Sequence, residues 1–456
     1  MHILLGLILV MTEAAFVMAS FARRMEKREW NQKRLVVNAL ELAAFLMLLL
    51  LPGIDLSFRY SGLFLLLIIR LIVSVPGYFL ARQKTGSKTK PGMVTSGILS
   101  VMLFASALMP AFLFKDYKGR PVTGAYTPAV CSAILTDSSR TEQFETDGSS
   151  REIPVHFYYP AESERIADHS LPLVIFSHGA FGWYQSNTSA YQELASNGYV
   201  VVSLDHPYHS LFTKDSDGRL ITVDRSFMQD AVTIGDGAYA DTERGEVFRT
   251  ESEWISLRAA DMQFAVDSLK QAASAHELAA WTLTDGGAAQ LDTVLRMINP
   301  GKIGLMGHSL GGATAVTVGR REDISAVIDI DGTMIGEQMD FADGKYVINE
   351  EPYPTPLLSI DNDEHHFDRI EAAQVGYVYA NNVVLDHAKE AYSTYFAGAG
   401  HMNLTDLPLI SPFFADQFGT GDVDPEQCTD TLNQLILNFF DCYLKEQGTF
   451  SVQESY

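Results

Sequence analysis

Ser309 stands in a run of residues whose types and spacing suit nucleophilic catalysis. It is the central residue of a G-x-S-x-G pattern, GHSLG at 307–311, which follows the apolar run 303–306 and precedes the helix-like sequence 313–316. A strand, a sharp turn and a helix in that order form a nucleophile elbow, which exposes the serine hydroxyl. Glycines two residues before and after the serine leave room for the turn. The run therefore predicts a serine nucleophile.

A serine hydroxyl needs a base to take its proton and an acid to orient that base. His401 lies in a glycine-rich loop directly after a predicted strand. Asp331 and Asp361 each stand at the end of an apolar run typical of a buried strand. The order serine, aspartate, histidine is that of α/β-hydrolases. Order and spacing leave both Asp331 and Asp361 as candidates for the acid.

The elements that must position these residues alternate between apolar runs and helical patterns. Continuous apolar runs are typical of strands buried on both faces, and their alternation with helices favours a parallel sheet. The sequence thus predicts an α/β-hydrolase fold, a mostly parallel sheet with helices on both faces. The predicted strands are 153–159, 173–176, 199–204, 303–306, 326–332, 357–361 and 393–397, and the predicted helices are 189–196, 253–271 and 432–444.

A second turn suits the stabilisation of an oxyanion. The apolar run 173–176 continues into SHGAFG at 177–182. Hydrolases of this architecture place one backbone N–H donor of the oxyanion hole after such a strand. Gly179 allows close approach of the backbone, and the N–H of Ala180 is the predicted donor.

Four sequence blocks resemble the plasma-type platelet-activating-factor acetylhydrolase family, with similarity over 141–444. The resemblance implies that Asp331 is the acid and that the N–H groups of Ala180 and Leu310 form the oxyanion hole. The chain departs from the family at Leu310, where an aromatic residue is frequent, over 205–249, and in its N-terminal anchor, which secreted members lack. The blocks are FSHG at 176–179, GHSLGGAT at 307–314, IDG at 330–332 and GHMN at 400–403.

Charge divides the chain into two parts. Residues 1–120 carry a net charge of +9 and the remainder −32, which together give −23. An acidic domain repels nucleic acid, so no nucleic-acid partner is expected. The region 1–114 contains four apolar stretches long enough to cross about 30 Å of hydrocarbon. These predicted transmembrane helices lie at 3–22, 35–51, 62–80 and 93–114.

Basic residues predict the orientation of these spans, because basic loops stay in the cytoplasm. Such residues follow the first and third spans, so the N-terminus and the hydrolase domain are expected on the outer side of a multi-pass protein of the cell membrane. Glu13, Glu41 and Arg70 lie within or beside the spans and are interpreted as interhelical contacts. The basic residues are Arg23, Arg24, Lys27, Arg28, Lys33 and Arg34 in the first loop and Arg82, Lys84, Lys88 and Lys90 in the other.

Three boundaries are predicted for the remainder of the chain. A polar stretch at 115–150 is interpreted as a linker, and the hydrolase domain follows at 151–456. Within it, the acidic and aromatic stretch 205–249 is interpreted as a lid-like insertion beside the substrate site. His206 and His209 at its start are interpreted as packing residues rather than catalytic residues or metal ligands.

No cofactor and no metal are expected. The sequence DEHHFD at 363–368 combines histidines with carboxylates, but neighbouring loop residues seldom point at one ion, and no H-E-x-x-H spacing accompanies them. P-loop and dinucleotide-binding fingerprints are absent from the sequence. Cys131, Cys428 and Cys442 give no disulfide framework and are interpreted as buried thiols.

These observations predict a membrane-anchored serine hydrolase of carboxylic esters. Anchoring brings the site within reach of lipids, so short-chain acyl lipid or phospholipid esters are the expected substrates. Two alternatives remain open from the residues. An acyltransferase would use the same three residues to deliver the acyl group to an alcohol, and a receptor would use the fold without catalysis.

Overall fold

The computed structural model describes residues 2–23, 25–80, 86–235, 237–240, 243–275, 278, 280–285, 287–375 and 377–456. The chain divides into two compact units. Unit 1 comprises Met1–Lys118 and Leu409–Phe414, and unit 2 comprises Gly119–Pro408 and Ala415–Tyr456.

Unit 1 contains four long helices within its described residues. Three of them, α1, α3 and α4, are long and apolar enough to cross a membrane. The second, α2, begins at Lys27 rather than at residue 35, and its first two turns are rich in charged side chains. Three of the four predicted spans are therefore helices of suitable length and apolar composition, and α2 is not among them. The helices are α1 (His2–Arg23), α2 (Lys27–Leu48), α3 (Phe58–Leu80) and α4 (Lys90–Leu113).

The basic segment predicted as a loop after the first span is partly helical. Lys27, Arg28, Lys33 and Arg34 all lie in α2, because the helix continues beyond the apolar stretch that predicted it. Arg24, Arg82 and Lys84, which entered the prediction of orientation, lie outside the described residues.

Paired charges connect the helices of unit 1. Arg34 of α2 donates to both carboxylate oxygens of Glu13 in α1, at 2.6 and 2.8 Å. Arg70 of α3 lies 3.3 Å from Glu13 and 3.2 Å from Glu41 of α2. Both glutamates are buried, and an ionised side chain is tolerated in such surroundings only when it is paired. These contacts agree with the interhelical interpretation of Glu13, Glu41 and Arg70.

Unit 2 is built around one mostly parallel sheet, consistent with the predicted α/β-hydrolase fold. Within the described residues its order is β13-β12-β9-β8-β3-β4-β2-β1-β7. The pairs from β13 to β4 are parallel, and β4, β2, β1 and β7 pair antiparallel. The strands are β1 (Pro128–Thr141), β2 (Ser150–Pro160), β3 (Leu171–Ser177), β4 (Val200–Leu204), β7 (Trp281–Asp285), β8 (Ile298–His308), β9 (Ala326–Ile330), β12 (Leu357–Asn362) and β13 (Ala391–Phe396).

Two apolar layers cover the faces of this sheet. Successive side chains of a strand point to opposite faces, so Leu173 and Ile175 of β3 join one layer while Val174 and Phe176 join the other. Helices α7, α8 and α9 pack on the first face, and α5 and α14 pack on the second. Each aliphatic side chain fully buried in this way contributes roughly 1.5–3 kcal/mol. These helices are α5 (Thr188–Ser196), α7 (Arg244–Ala275), α8 (Gly287–Met297), α9 (Leu310–Val318) and α14 (Pro425–Lys445).

The structure corrects two predicted segments. The stretch 115–150, predicted as a linker, contains the long strand β1, whose alternating burial was hidden by its serines, threonines and charges. The stretch 205–249, predicted as irregular, contains the hairpin β5–β6, the helix α6 and the start of α7. Residues 236, 241 and 242 of this stretch lie outside the described residues. These elements are β5 (Phe212–Lys214), β6 (Leu220–Thr222) and α6 (Arg225–Gly235).

The sequence 363–368, predicted as a loop, is instead the start of helix α10, whose cap is Asn362. A polar sequence with little apolar periodicity gave no signal for this helix. The remaining elements are the hairpin β10 (Gln338–Ala342) and β11 (Lys345–Ile348), and the helices α10 (Asp363–Gln374), α11 (Ala380–His387), α12 (Leu407–Ile410) and α13 (Pro412–Gln417).

Candidate active site

Ser309 occupies a strained turn between β8 and α9. Its backbone has φ 57° and ψ −127°, a conformation that residues other than glycine rarely adopt. The neighbouring glycines are required by close approach. A Cβ on Gly307 would lie 2.1 Å from the carbonyl oxygen of Gly311, and a Cβ on Gly311 would lie 2.0 Å from that of Ser177. The G-x-S-x-G pattern is therefore explained by backbone crowding around the serine.

Asp331 and His401 meet at the carboxyl edge of the sheet. Asp331 follows β9 and His401 begins a 3₁₀ turn after β13, and the His401 Nδ1 lies 2.5 Å from Asp331 Oδ2. His401 also touches the elbow, since His308 Nε2 donates to its carbonyl oxygen at 3.1 Å. Parallel strands end at one edge, which is where open α/β sheets hold their ligands. The fold thus brings the predicted nucleophile, acid and base to one edge.

The environment of Asp331 favours its ionised form. Burial alone would raise its pKa, but hydrogen bonds from His365 and His401 hold the pKa of Asp331 well below its usual range. The backbone N–H and the side-chain amide of Asn362 also donate to it, at 2.7 and 2.8 Å. A carboxylate held in this way can fix the orientation of an imidazole.

Asp361, the other candidate acid, has a different partner. Arg369 Nη1 lies 2.5 Å from Asp361 Oδ2, and the carboxylate is buried. Burial raises the pKa of Asp361 to about 6, although Arg369 opposes the shift. Its described contacts are therefore with an arginine rather than with His401.

Leu310 directly follows the serine, and Ala180 packs against the apolar cluster that contains Leu310. Leu310 is the first residue of α9, where N–H groups have no acceptor within the helix. Gly179 packs against the serine, because a Cβ built on Gly179 would lie 3.1 Å from that of Ser309. Both predicted oxyanion donors also border one apolar cluster, whose buried members are Phe227, Ile255, Leu310 and Ala313.

Arg258 explains how the Ala180 N–H is oriented, a role that the sequence analysis did not predict. The guanidinium is fully buried and donates to the carbonyl oxygens of His178, at 2.5 Å, and Gly179, at 3.2 Å. Because a trans peptide points its C=O and N–H in opposite directions, fixing the Gly179 carbonyl turns the Ala180 N–H away from Arg258. The sequence signal that could have identified Arg258 is the presence of a charged residue among the apolar residues of helix α7.

A second set of serine, histidine and aspartate is buried next to the turn at 177–182. Ser177 Oγ is 2.9 Å from His206 Nε2, and His206 Nδ1 is 2.9 Å from Asp261 Oδ2. All three residues are fully buried. Burial lowers the pKa of His206 to about 4. Burial alone would raise the pKa of Asp261, but the Arg151 guanidinium at 2.7 Å and the hydrogen bond with His206 together hold that pKa well below its usual range.

The other histidine of this segment also packs inside the protein. The His209 ring stacks on Phe227 of α6 with ring centroids 3.7 Å apart. Its Nδ1 accepts from Arg258 Nε at 3.3 Å. His206 and His209 thus have packing partners, as their sequence interpretation proposed.

His365 is the other residue that sequence reasoning missed. Its Nδ1 lies 2.9 Å from Asp331 Oδ1, so it occupies the carboxylate oxygen that His401 leaves free. The adjacent histidines at 365 and 366 were considered only as metal ligands. Within the described residues, the one grouping that could offer three ligand atoms to a metal is His308, Asp331 and His401, whose atoms lie within 4.8 Å of one another. The hydrogen bonds around Asp331 already account for this proximity.

The chain is similar to two known proteins. A curated platelet-activating factor acetylhydrolase from Bos taurus is 23% identical over 299 residues, which cover 62% of this chain. The chain spans 60% of the length of that relative. A solved ferulic acid esterase from Streptomyces cinnamoneus is 21% identical, with a TM-score of 0.48, and the match covers 72% of this chain and 93% of that one.

The family comparison extends over the larger part of the chain. A sequence model described as platelet-activating factor acetylhydrolase, isoform II, matches residues 146–455 of the 456. This range includes both sides of the Ser309 elbow, Asp331 and His401. The chain therefore belongs to the platelet-activating factor acetylhydrolase isoform II family.

Proposed function

We propose that the protein is a membrane-anchored serine hydrolase that cleaves carboxylic esters, with short-chain acyl lipids or phospholipids as substrates. The observation that carries the proposal is the Asp331–His401 hydrogen bond of 2.5 Å at the sheet edge where Ser309 occupies a strained elbow. Family membership supports the same chemistry.

In the proposed reaction, Ser309 Oγ attacks the acyl carbon while His401 takes its proton, and Asp331 orients the imidazole. The tetrahedral oxyanion accepts hydrogen bonds from the N–H groups of Ala180 and Leu310, a contribution of roughly 3–4 kcal/mol per donor. His401 then protonates the leaving alcohol, and the acyl group stays on Ser309. Water, deprotonated by His401, attacks the acyl-enzyme and releases the acid.

The apolar cluster beside the oxyanion donors supports a short acyl group as substrate. Phe227 and Ile255 bring side chains from α6 and α7 against Leu310 and Ala313. The segment 205–249, which contains α6, is proposed as the lid of the 151–456 hydrolase domain. Large side chains close to the donors leave room for a small acyl chain and disfavour a long one.

The proposed anchor is a bundle that crosses the cell membrane four times, with the hydrolase domain outside. Three apolar helices support membrane association. Basic residues follow α1 and α3, and both basic segments can lie on the cytoplasmic side only if α2 also crosses. Protease added to intact cells is then expected to cut within 115–127, and protection until lysis would contradict this orientation.

The function is tested with a panel of esters of graded acyl length, using the full chain in detergent. Wild-type protein is expected to hydrolyse acetyl and other short esters, and Ser309→Ala is expected to lose this activity. Ser139→Ala, at an exposed position of β1, is the matched control. Transfer of the acyl group to an added alcohol would favour the acyltransferase, and no Ser309-dependent reaction with any ester would contradict the proposal.

A further inference from the structure

Asp331 binds two imidazoles, although a triad acid needs only one. His401 Nδ1 lies 2.5 Å from Oδ2 and His365 Nδ1 lies 2.9 Å from Oδ1. The two imidazole rings meet edge to face, with centroids 5.7 Å apart. His365 is therefore close enough to influence the base through the shared carboxylate and through its own charge.

The position of His365 is fixed by the start of helix α10. Asn362, the N-cap, accepts the backbone N–H of His365 at 2.7 Å and itself donates to Asp331. The described part of α10 contributes no fully buried side chain, and the His365 side chain is 35% exposed. Core packing therefore does not explain this histidine, whereas its contact with Asp331 does.

His365 carries positive charge at neutral pH. Burial opposes the charge, but the hydrogen bond to Asp331 and the nearby carboxylates raise the pKa of His365 to about 9. Among the described residues, the charged and titratable groups that face it are Asp331 after β9, Asp361 at the end of β12, Glu364 and Arg369 of α10, His308 at the end of β8, and His401 after β13.

We propose that His365 is a positioning residue for ester hydrolysis, which holds the second oxygen of Asp331 and places positive charge beside His401. This inference rests on the proposed function. A positive charge on His365 offsets part of the negative charge of Asp331, so protonation of His401 becomes less favourable. The base thus stays unprotonated, and able to accept the Ser309 proton, at lower pH than with one histidine alone.

The test compares kcat/KM between about pH 5 and pH 9 in His365→Asn and wild-type full-length protein, with 4-nitrophenyl acetate as substrate. The acid limb of the profile is expected to move to higher pH by about 0.5–1 unit in the variant, since a charge at this distance has been removed. The plateau is expected to change by less than about threefold, because Ser309, Asp331 and His401 are all present.

The adjacent histidine offers a matched control. His366 stacks on Tyr395, with centroids 3.9 Å apart, so His366→Asn should leave the acid limb in place. His365→Arg preserves the charge and should keep the limb near the wild-type position, whereas His365→Gln, a second uncharged variant, should move it as His365→Asn does. Circular dichroism checks the fold of each variant.

Two outcomes overturn different conclusions. Wild-type turnover that depends on Ser309, combined with an acid limb that is the same or lower in the two uncharged variants, overturns the role of His365 alone. Absence of Ser309-dependent turnover in the wild type overturns the proposed function and the role of His365 with it.

Discussion

Two sets of serine, histidine and aspartate in unit 2 differ in their hydrogen bonds and in their setting. The Ser177, His206 and Asp261 set has contacts of 2.9 Å throughout and is fully buried. In the other set Ser309 is partly exposed on a strained elbow, and the His401 side chain is 28% exposed. A hydrogen-bonded serine, histidine and aspartate therefore do not by themselves identify a nucleophile.

The surroundings of the two aspartates add a second difference. Asp261 is paired with the Arg151 guanidinium, which compensates its charge, whereas Asp331 is bound by two imidazoles and an asparagine. Access is thus what separates the proposed active site from the buried set.

The two serines provide the largest expected contrast. Ser309→Ala is expected to lower kcat by roughly 10⁴-fold or more, because the nucleophile is removed. Ser177→Ala is expected to keep kcat within about tenfold and to lower the free energy of unfolding by about 1–3 kcal/mol, since His206 Nε2 is left buried without a partner. Ester turnover and chemical denaturation measure the two effects. A Ser177→Ala variant that folds normally but is inactive would contradict the comparison.

The acids give the next contrast. Asp331→Asn is expected to lower kcat by about 10⁴-fold, because the amide no longer stabilises an imidazolium and favours the wrong tautomer. Asp361 lies at the end of the neighbouring strand and binds Arg369, so Asp361→Asn is the matched control. It is expected to lower kcat by less than about tenfold at preserved folding, as measured by steady-state kinetics. Loss of turnover in Asp361→Asn alone would reassign the acid.

The histidines give a smaller contrast in the pH dependence of stability. His206 has its pKa lowered to about 4 by burial, so the unfolded chain binds a proton that the folded chain excludes. Stability is therefore lost as pH falls from about 6.5 to about 4, by at most about 3 kcal/mol from this residue. His365 has a raised pKa, so its contribution is present below about 6.5 and is lost as pH rises toward 9.

Thermal unfolding of wild type and two variants measures these slopes. His206→Gln is expected to reduce the loss of stability between about pH 6.5 and 4, because its amide does not titrate. His365→Asn is expected to leave that loss in place and to reduce the decline toward about pH 9. Equal slopes in wild type and His206→Gln would contradict the assignment of a neutral buried histidine.

Local patterns predicted the parts of the fold that depend on a single segment. The apolar runs predicted β3, β4, β8, β9 and β12, because strands buried on both faces consist mostly of apolar residues. The elbow was predicted from its glycines, which close backbone approach requires. The choice of Asp331 as the proposed acid required the family resemblance, because Asp331 and Asp361 both stand at the ends of buried strands. Only the three-dimensional path of the chain places His401 beside one of them.

Features that depend on distant segments were missed. Strand β1 was taken for a linker because its partner β2, rather than its own sequence, specifies its extended form. Arg258 and Asp261 lie on α7 among apolar residues, and their partners come from β2 and from the segments that follow β3 and β4. The contact of His365 with Asp331 depends on the pairing of β9 with β12, because each residue follows one of these strands. Sequence spacing carries no record of such contacts.

The crowding at Gly311 has a consequence for the variation that this fold tolerates. A side chain there would collide with the carbonyl oxygens of Ser177 and His178, which begin the turn that carries Ala180. The backbone of the nucleophile elbow therefore lies directly against the backbone at Ser177, with no space for a side chain between them. Substitutions on its two sides should show epistasis, so that the residues acceptable around Ser309 depend on those around Ser177. The buried set, which does not meet substrate, would then restrict the evolutionary drift of the residues that do.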